Sequence, residues 1–291
     1  MLVYQTTKEL KSTIETCRKQ GKKINFVPTM GALHQGHVSL IETAKQEGCV
    51  VVCSIFVNPI QFNDKADLER YPRPLEKDKE LLTRAGCDIL FVPDESEIYP
   101  EGSTLRPSPN GERSVSSKFD FGLLDKVMEG KHRPGHFNGV AIVVSKLFGI
   151  VNPQNAYFGQ KDFQQVAIIK RMVQILKLPV KIISCPTVRE ADGLAMSSRN
   201  IFLSAEERKN AVVISKTLFA IKAKSKEADV RQLTEWGKDQ IKQNPLMQLE
   251  YLEIVDADIF ESAQKNKNAV ACIAVKIGKV RLIDNVTIDR E

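Results

Sequence analysis

Residues 22–40, KKINFVPTMGALHQGHVSL, constrain the fold of this chain more than any other stretch. An apolar run predicts a β-strand that breaks at Pro28, and apolar residues at helical spacing predict a helix from about His37. In a parallel α/β unit, the turn between such elements lies at the carboxyl end of the strand, where the helix presents unpaired backbone N–H groups. The sequence therefore predicts an anion-binding turn, in which Gly31 and Gly36 let phosphates approach the backbone.

Further apolar runs predict the rest of a Rossmann-like parallel sheet with helices on both faces. Strands are predicted at 49–57, 88–92, 155–158 and 180–184, and helices at 6–20, 75–85, 140–147 and 163–176. Beyond about residue 187 the alternation changes, with strands at 249–255, 269–277 and 279–288. We therefore predict an α/β domain at 1–186 and a smaller C-terminal α+β domain at 187–291.

Polar residues follow three of these predicted strands. Gln61 lies just beyond one carboxyl end, where sites in open α/β sheets lie. Lys161 lies in a second strand-to-helix turn, which favours contact of its ammonium with a phosphate over the alternative of an ordinary surface lysine. The sequence MSSRN at 196–200 offers hydroxyls, a guanidinium and an amide suited to phosphate oxygens.

Composition narrows the classes of partner. The formal charge is +6 and the basic residues are scattered, which fits an anionic small substrate and gives no reason to expect a nucleic acid. The six cysteines contain no CxxC pair, so we expect buried free thiols. His132 and His136 are separated by Pro134 and Gly135, which prevent a shared helix face, and we assign no metal site.

Two further expectations concern location and a loop. No apolar run approaches a membrane span, and the first residues lack a signal-peptide core, so we expect a cytoplasmic protein without a membrane partner. Residues 101–118 are rich in Ser, Pro and Gly and predict a long loop. Either a lid or binding segment or a plain solvated insertion fits that composition.

The motifs together resemble a known family. The HxGH of residues 34–37 is similar to the HIGH signature of nucleotidylyltransferases and class I aminoacyl-tRNA synthetases. PTMGALHQGH, VNPIQF, EGKHRPGHFNGV, FGQKDFQQ and READGLAMSSRN, in this order, closely resemble the pantoate-beta-alanine ligase family, also called pantothenate synthetases. The resemblance runs nearly end to end and includes RLIDN near the terminus.

This resemblance implies a two-step ligation by a homodimer without an organic prosthetic group. The carboxylate of pantoate attacks the α-phosphorus of ATP, bound with Mg²⁺, to give pantoyl adenylate and pyrophosphate. The amine of β-alanine then attacks the adenylate, releasing pantothenate and AMP. The first domain would bind nucleotide and pantoate, and the second would close over the ATP site.

The resemblance also implies residue roles. His37 is the expected general acid, and it contacts ATP together with His34; Lys161 and Arg199 are further catalytic residues that, with Ser197 and Ser198, contact phosphates. Gln61 and Gln165 would hold pantoate, and Gln61 also β-alanine. The implied ATP-binding set is Met30, Gly31, Ala32, Leu33, His34, Gln35, Gly36, His37, Gly159, Gln160, Lys161, Asp162, Val188, Met196, Ser197, Ser198 and Arg199. The sequence assigns no metal ligand, although Asp88, Asp162 or the substrate phosphates would suit magnesium.

Gln160 departs from the FGEKD pattern of the family, which makes a role for a carboxylate at this position doubtful. Three alternatives remain beside the ligase. A nucleotidylyltransferase acting on a phosphate would need a cation near Gln61 and Gln165, and a class I aminoacyl-tRNA synthetase would need a basic surface for tRNA. A non-catalytic nucleotide sensor would not need His34, His37 and Lys161 together.

Overall fold

The computed structural model describes residues 1–45, 49–100, 119–263 and 268–288. The described parts of the chain form two compact units. The first takes its residues from Met1–Phe121, Arg133–Gln160 and Gln164–Pro186, and the second from Gly122–His132, Lys161–Phe163 and Thr187–Glu291. The functional division predicted at residue 186 stays a prediction. The 101–118 loop lies outside the described residues.

Strands and helices alternate through the first unit. The strands are β1 (Leu2–Tyr4), β2 (Ile24–Thr29), β3 (Val50–Ile55), β4 (Ile89–Phe91), β5 (Asn155–Gly159) and β6 (Lys181–Cys185). The helices up to residue 175 are α1 (Thr7–Lys19), α2 (Gln35–Lys45), α3 (Lys65–Arg70), α4 (Leu75–Arg84), α5 (Glu95–Ile98), α6 (Met128–His132, in the second unit), α7 (His136–Val151) and α8 (Phe163–Ile175). Short 3-10 turns cover Pro59–Gln61, Gly122–Asp125 and Gln160–Asp162.

The six strands form one sheet in the order β1-β4-β3-β2-β5-β6, and every neighbouring pair is parallel. Both faces are covered by helices: Val27 of β2 packs in an apolar cluster with residues of α2 and α4, whereas the Phe26 ring lies 6.3 Å from that of Phe148 on α7. The chain leaves β2 toward β3 on one side and later returns to β5 on the other. Ligands of such sheets bind outside the carboxyl ends at this reversal, here between β2 and β5.

The second unit contains α9 (Ala205–Lys224), α10 (Val230–Lys242) and the antiparallel strands β7 (Met247–Asp256), β8 (Ala269–Ile277) and β9 (Val280–Ile288), with a 3-10 turn at Ser198–Phe202. Buried side chains of α9, α10 and all three strands form one core. The predicted fold class is confirmed. Among the described residues, none of the helices has both the length and the apolar character needed to span a bilayer.

Some predicted boundaries were wrong. β2 does not break at Pro28 but continues to Thr29, whose carbonyl accepts from the Phe56 N–H. Successive residues of a strand point their backbone groups to opposite sides, so the nitrogen of Pro28 points away from β3 and toward the β5 side. On that side, the pairing of β2 with β5 ends at Phe26 and does not reach Pro28. No ladder bond is therefore lost at the proline.

Two helix starts were predicted too late, and short elements were missed. α2 begins at Gln35 instead of His37, and α7 begins at His136 instead of Val140, directly after Gly135 in a left-handed conformation. The edge strand β1 pairs with β4 over only three residues, too few for periodicity to detect. The three short helices α3, α5 and α6 were missed for the same reason.

Candidate functional site

The histidine turn follows β2 at the predicted edge of the sheet. The Gly36 N–H donates to Nδ1 of His34 at 3.1 Å, and the His34 N–H donates to Nδ1 of His37 at 3.3 Å. The two ring centroids are 4.1 Å apart. A neutral imidazole whose Nδ1 accepts a hydrogen bond carries its proton on Nε2. Both rings are thus held as Nε2–H donors at the start of α2.

A buried carboxylate holds the turn before these histidines. Asp78 of α4 accepts from the Ala32 and Leu33 N–H groups, both at 2.8 Å, and is 1% exposed. Burial raises the pKa of this carboxyl, and the two backbone donors oppose that shift. The sequence analysis missed Asp78, although its place between Leu75 and Leu82 on the apolar stripe of α4 was a signal that its side chain is buried.

Gly31 is required for a steric reason that the sequence analysis did not identify. Its φ is +79°, and an added Cβ would lie 2.9 Å from Cγ2 of Ile55 and 3.1 Å from Oδ2 of Asp78. The glycine therefore makes room for the protein's own side chains, and the close approach of a phosphate expected from the sequence stays a prediction. Gly159, at the end of β5, differs because a Cβ there would meet no protein atom within 4 Å among the described residues.

Gln61 lies near the histidine turn and is held by a buried chain of hydrogen bonds. Its Oε1 accepts from Nδ2 of Asn58 at 2.9 Å, and its Nε2 donates to Sδ of Met30 at 3.1 Å. The Tyr99 hydroxyl in turn donates to Oδ1 of Asn58 at 2.8 Å. Gln61 is 7% exposed, Asn58 1% and Tyr99 0%. The side chain of Gln61 is therefore fixed by partners that the sequence analysis did not identify.

The backbone of Gln61 is fixed separately by α7. Nδ1 of His136 donates to the Gln61 carbonyl at 2.7 Å, and Arg133 donates to Nε2 of the same ring at 3.2 Å. These two bonds require the neutral tautomer with its proton on Nδ1. Gly139 allows α7 to pack directly against the backbone of residues 60 and 61, because a Cβ at this position would lie 2.7 Å from the Ile60 carbonyl oxygen.

The Lys161 turn, which belongs to the second unit, is fixed by β9. The Lys161 carbonyl accepts from Nδ2 of Asn285 at 2.8 Å, and the Lys161 ammonium lies 3.7 Å from the Asp162 carboxylate. The Lys161 side chain is 19% exposed and that of Asp162 44%. Lys161 therefore presents a cation from a turn whose backbone has a defined anchor.

The segment before Ser197 is also tied to β9. Arg189 donates to both carboxylate oxygens of Asp284, at 2.7 and 3.0 Å. Burial raises the pKa of Asp284, and the Arg189 guanidinium opposes that shift. The Met196 N–H donates to the Val188 carbonyl at 3.0 Å, which closes a hairpin that leads into Ser197. Ser197 caps the 3-10 turn through its hydroxyl, which accepts from the Arg199 N–H at 3.3 Å.

The predicted site residues divide between the units as follows. The first unit holds Met30, Gly31, Ala32, Leu33, His34, Gln35, Gly36, His37, Gln61, Gly159, Gln160 and Gln165; the second holds Lys161, Asp162, Val188, Met196, Ser197, Ser198 and Arg199. Within the first unit, the structure brings Met30 of the histidine turn into contact with Gln61. Gln165 is half-buried in the first turns of α8, and no hydrogen bond among the described residues involves its amide.

Asp88 does not suit magnesium. It precedes β4 and so lies at the amino edge of the sheet, where it pairs with Lys45 at 2.8 Å and accepts from the Val51 N–H. Asp162 follows β5 at the carboxyl edge. No cluster of three or more His, Cys, Asp or Glu side chains suited to a metal occurs in the described ranges. None of the six cysteines forms a disulfide with another described residue, and all except Cys17 are buried.

The fold and site define a class of protein. A parallel sheet that reverses its strand order between β2 and β5, with a histidine turn at the start of α2, is typical of nucleotide-binding α/β proteins. The family model of pantoate-beta-alanine ligase matches residues 2–287. The chain belongs to the pantoate-beta-alanine ligase family, and it is a ligase.

Individual relatives agree with this assignment. Pantothenate synthetase of Porphyromonas gingivalis strain W83 is 48% identical over 289 residues, covering 98% of this chain and 99% of the relative. The Phocaeicola vulgatus pantothenate synthetase is 50% identical over 290 residues, with the same shares. The crystal structure of pantothenate synthetase from Thermus thermophilus is 40% identical with a TM-score of 0.88, covering 98% of this chain and 99% of that one.

A second solved structure carries ligands. Pantoate-beta-alanine ligase from Francisella tularensis, complexed with beta-gamma ATP and beta-alanine, is 39% identical with a TM-score of 0.79, covering 98% of this chain and 97% of that one. The family, the fold class and the ligase activity predicted from the sequence are confirmed.

Proposed function

We propose that the residues described above carry out the reaction of the family, the ATP-dependent joining of (R)-pantoate and β-alanine to pantothenate through pantoyl adenylate. The observation that carries this proposal is the contact between the Gln61 amide and Met30 of the histidine turn, at 3.1 Å. An uncharged, buried amide beside the nucleotide turn suits a carboxylate nucleophile. A nucleotidylyltransferase acting on a phosphate would need a cation there.

In the first step, Gln61 and Gln165 hold the carboxylate of pantoate for attack on the α-phosphorus of ATP. Amide donors fix the position of the carboxylate without pairing its charge, and charge-assisted pairs are roughly twice as strong as neutral hydrogen bonds. The nucleophile therefore keeps its reactivity. Asn58 and Tyr99 contribute by holding the Gln61 side chain in one orientation.

The histidines stabilise charge on the phosphoryl oxygens during this step. Because Nδ1 of each ring accepts a backbone N–H, the neutral rings offer Nε2–H donors. A neutral imidazole is a good hydrogen-bond donor but a very weak acid. The geometry therefore supports donation from His37 to a phosphoryl oxygen, and the general-acid role implied by the resemblance stays a prediction.

The departing pyrophosphate is stabilised by the cations and hydroxyls that the sequence predicts to contact phosphates. Lys161 and Arg199 supply the positive charges, and Ser197 and Ser198 supply hydroxyl donors. Magnesium enters with ATP as part of the substrate complex, where it neutralises phosphate charge. Asp162 is the carboxylate that suits it, since magnesium in such sites keeps several waters and takes one or two carboxylates beside the phosphates.

In the second step, the neutral amine of β-alanine attacks the acyl carbon of pantoyl adenylate. The carbon–nitrogen bond forms, the acyl–phosphate bond breaks, AMP leaves with the bonding electrons, and the amine loses a proton. Gln61 then holds β-alanine near the same carbonyl group. A homodimer and a cytoplasmic location complete the proposal; both stay predictions from the resemblance and the sequence.

Pyrophosphate exchange tests the first step separately. The purified protein is incubated with MgATP and labelled pyrophosphate, with and without D-pantoate, and in the absence of β-alanine. We expect label to enter ATP only when pantoate is present, because a reversible adenylation needs the carboxylate. Exchange without pantoate, or exchange that requires β-alanine from the start, would contradict a pantoyl-adenylate intermediate.

A further inference from the structure

We propose that Asn285 of β9 is a positioning residue for adenylation, because it fixes the Lys161 turn and the Arg189 hairpin relative to each other. This inference rests on the function proposed above. It assigns a role to the RLIDN segment at 281–285, which the sequence analysis identified only as part of the family resemblance.

Asn285 contacts both segments at once. Its Nδ2 donates to the carbonyl of Lys161 at 2.8 Å, and its own carbonyl accepts from Nη2 of Arg189 at 3.2 Å. Asn285 is 5% exposed. Lys161 and Asn285 are 124 residues apart in sequence, so this hydrogen bond is a tertiary anchor of the turn.

The neighbouring Asp284 strengthens the Arg189 side of this bridge. The carboxylate is 3% exposed, binds the Arg189 guanidinium through both oxygens, and accepts the Asn285 N–H at 2.8 Å. Arg189 also donates to the Gly193 carbonyl at 3.0 Å, within the hairpin that leads to Ser197. Bidentate Arg–carboxylate pairs fix orientation as well as distance.

β9 is a stable base for both contacts. It pairs with β8 from Val280 to Ile288 without a bulge, and its side chains Val280, Leu282, Val286 and Ile288 lie in the core of the second unit. Lys161 lies in a 3-10 turn of only three residues, which has few internal hydrogen bonds to define its backbone. The strand therefore supplies the rigidity that the turn lacks.

This rigidity matters for charge stabilisation in the transition state. Groups that meet the charge developing on pyrophosphate are effective when they are already in place, and misplacement by about 1 Å can lower a rate by about 10²-fold. Asn285 does not itself need to contact the nucleotide. Its effect on the rate acts through the backbone that carries the Lys161 side chain.

The test is the pantoate-dependent pyrophosphate exchange rate of the Asn285→Ala protein. Loss of one buried hydrogen bond should lower the maximal exchange rate by about ten-fold, with a smaller effect on the KM for pantoate. Asn285→Asp keeps the shape of the side chain, but its carboxylate cannot donate to a carbonyl, so the exchange rate should fall at least as much as in Asn285→Ala. This second variant replaces the first if the alanine protein does not fold.

A matched control and a double mutant separate positioning from general stability. Asn244 donates from Nδ2 to Oδ1 of Asn210 at 2.8 Å in the same unit, and Asn244→Ala should lower the melting temperature without changing the exchange rate. In a Lys161→Ala background, adding Asn285→Ala should not lower the exchange rate further, because Asn285 affects the rate through the Lys161 side chain.

Two results would overturn this inference and leave the proposed function intact. One is a wild-type exchange rate in folded Asn285→Ala and Asn285→Asp proteins. The other is a further ten-fold decrease in exchange rate when Asn285→Ala is added to the Lys161→Ala protein. The latter would show that Asn285 acts through the unit as a whole. If the wild-type protein shows no pantoate-dependent exchange, the proposed function fails, and this inference fails with it.

Discussion

Gly139 and Gly149 lie on the same helix, α7, and the structure predicts different effects for the same substitution at the two positions. A Cβ on Gly139 would lie 2.7 Å from the Ile60 carbonyl oxygen and 3.0 Å from the backbone N and Cα of Gln61. A Cβ on Gly149 would meet nothing within 4 Å in the described parts of the chain. The first site is therefore closed by backbone, and the second is open.

The magnitudes follow from two opposing terms. Alanine is favoured over glycine inside a helix by about 1 kcal/mol, so Gly149→Ala should raise the free energy of unfolding by up to about that amount. At Gly139 the same gain is opposed by an overpacking cost of about 1–3 kcal/mol, since carbonyl and backbone atoms must move. Gly139→Ala should therefore be neutral to destabilising by about 2 kcal/mol.

Gly139→Ala should also weaken the binding of pantoate. The 3-10 turn at Pro59–Gln61 must shift by a few tenths of an ångström or more to admit the Cβ, and it carries the side chain proposed to hold pantoate. We expect the KM for pantoate to rise by about ten-fold or more and the KM for ATP to change little. The assay measures pantothenate formation against each substrate, together with thermal unfolding. A folded Gly139→Ala protein with the KM for pantoate of Gly149→Ala would refute the reasoning.

Three further predictions concern individual side chains. His37→Ala should lower the adenylation rate by about 10²-fold or more while the protein stays folded, and near-normal turnover would remove His37 from the mechanism. Gln165→Arg should preserve or tighten pantoate binding, measured by calorimetry, yet slow adenylation; an unchanged rate would contradict the role of neutral amides. Because burial raises the pKa of Asp78, the folded state holds that proton more tightly than the unfolded state, and this group lowers the free energy of unfolding as pH rises from about 4. Denaturant unfolding of Asp78→Asn should lack this decline, and curves that run parallel at every pH would show that Asp78 does not cause it.

Local sequence carried enough information for the sheet and for the residues proposed to contact substrates. The strands 24–29, 50–55 and 155–159 are short apolar runs, and the histidine and lysine turns directly follow two of them. A turn that follows a parallel strand lies at the carboxyl edge of the sheet, so these residues could be placed at that edge without knowledge of tertiary contacts.

The supporting residues could not be found in this way, because their roles depend on partners far away in sequence. Asp78 accepts from Ala32, 46 residues away, and Asn285 donates to Lys161, 124 residues away. The spacing of apolar residues predicts local helices and strands, but it does not predict which distant residues pair. The steric reason for Gly31 escaped the sequence for the same reason, since the atoms that exclude a Cβ there belong to β3 and α4.

The central claim is that the chain joins pantoate to β-alanine at the expense of ATP, and the measurement that tests it most directly is AMP release with single omissions. The purified protein is supplied with MgATP, D-pantoate and β-alanine, and each is left out in turn. We predict that AMP appears in quantity only when all three are present, with one pantothenate formed for each AMP. Sustained pyrophosphate release that does not need β-alanine, or no consumption of ATP at all, would contradict the account.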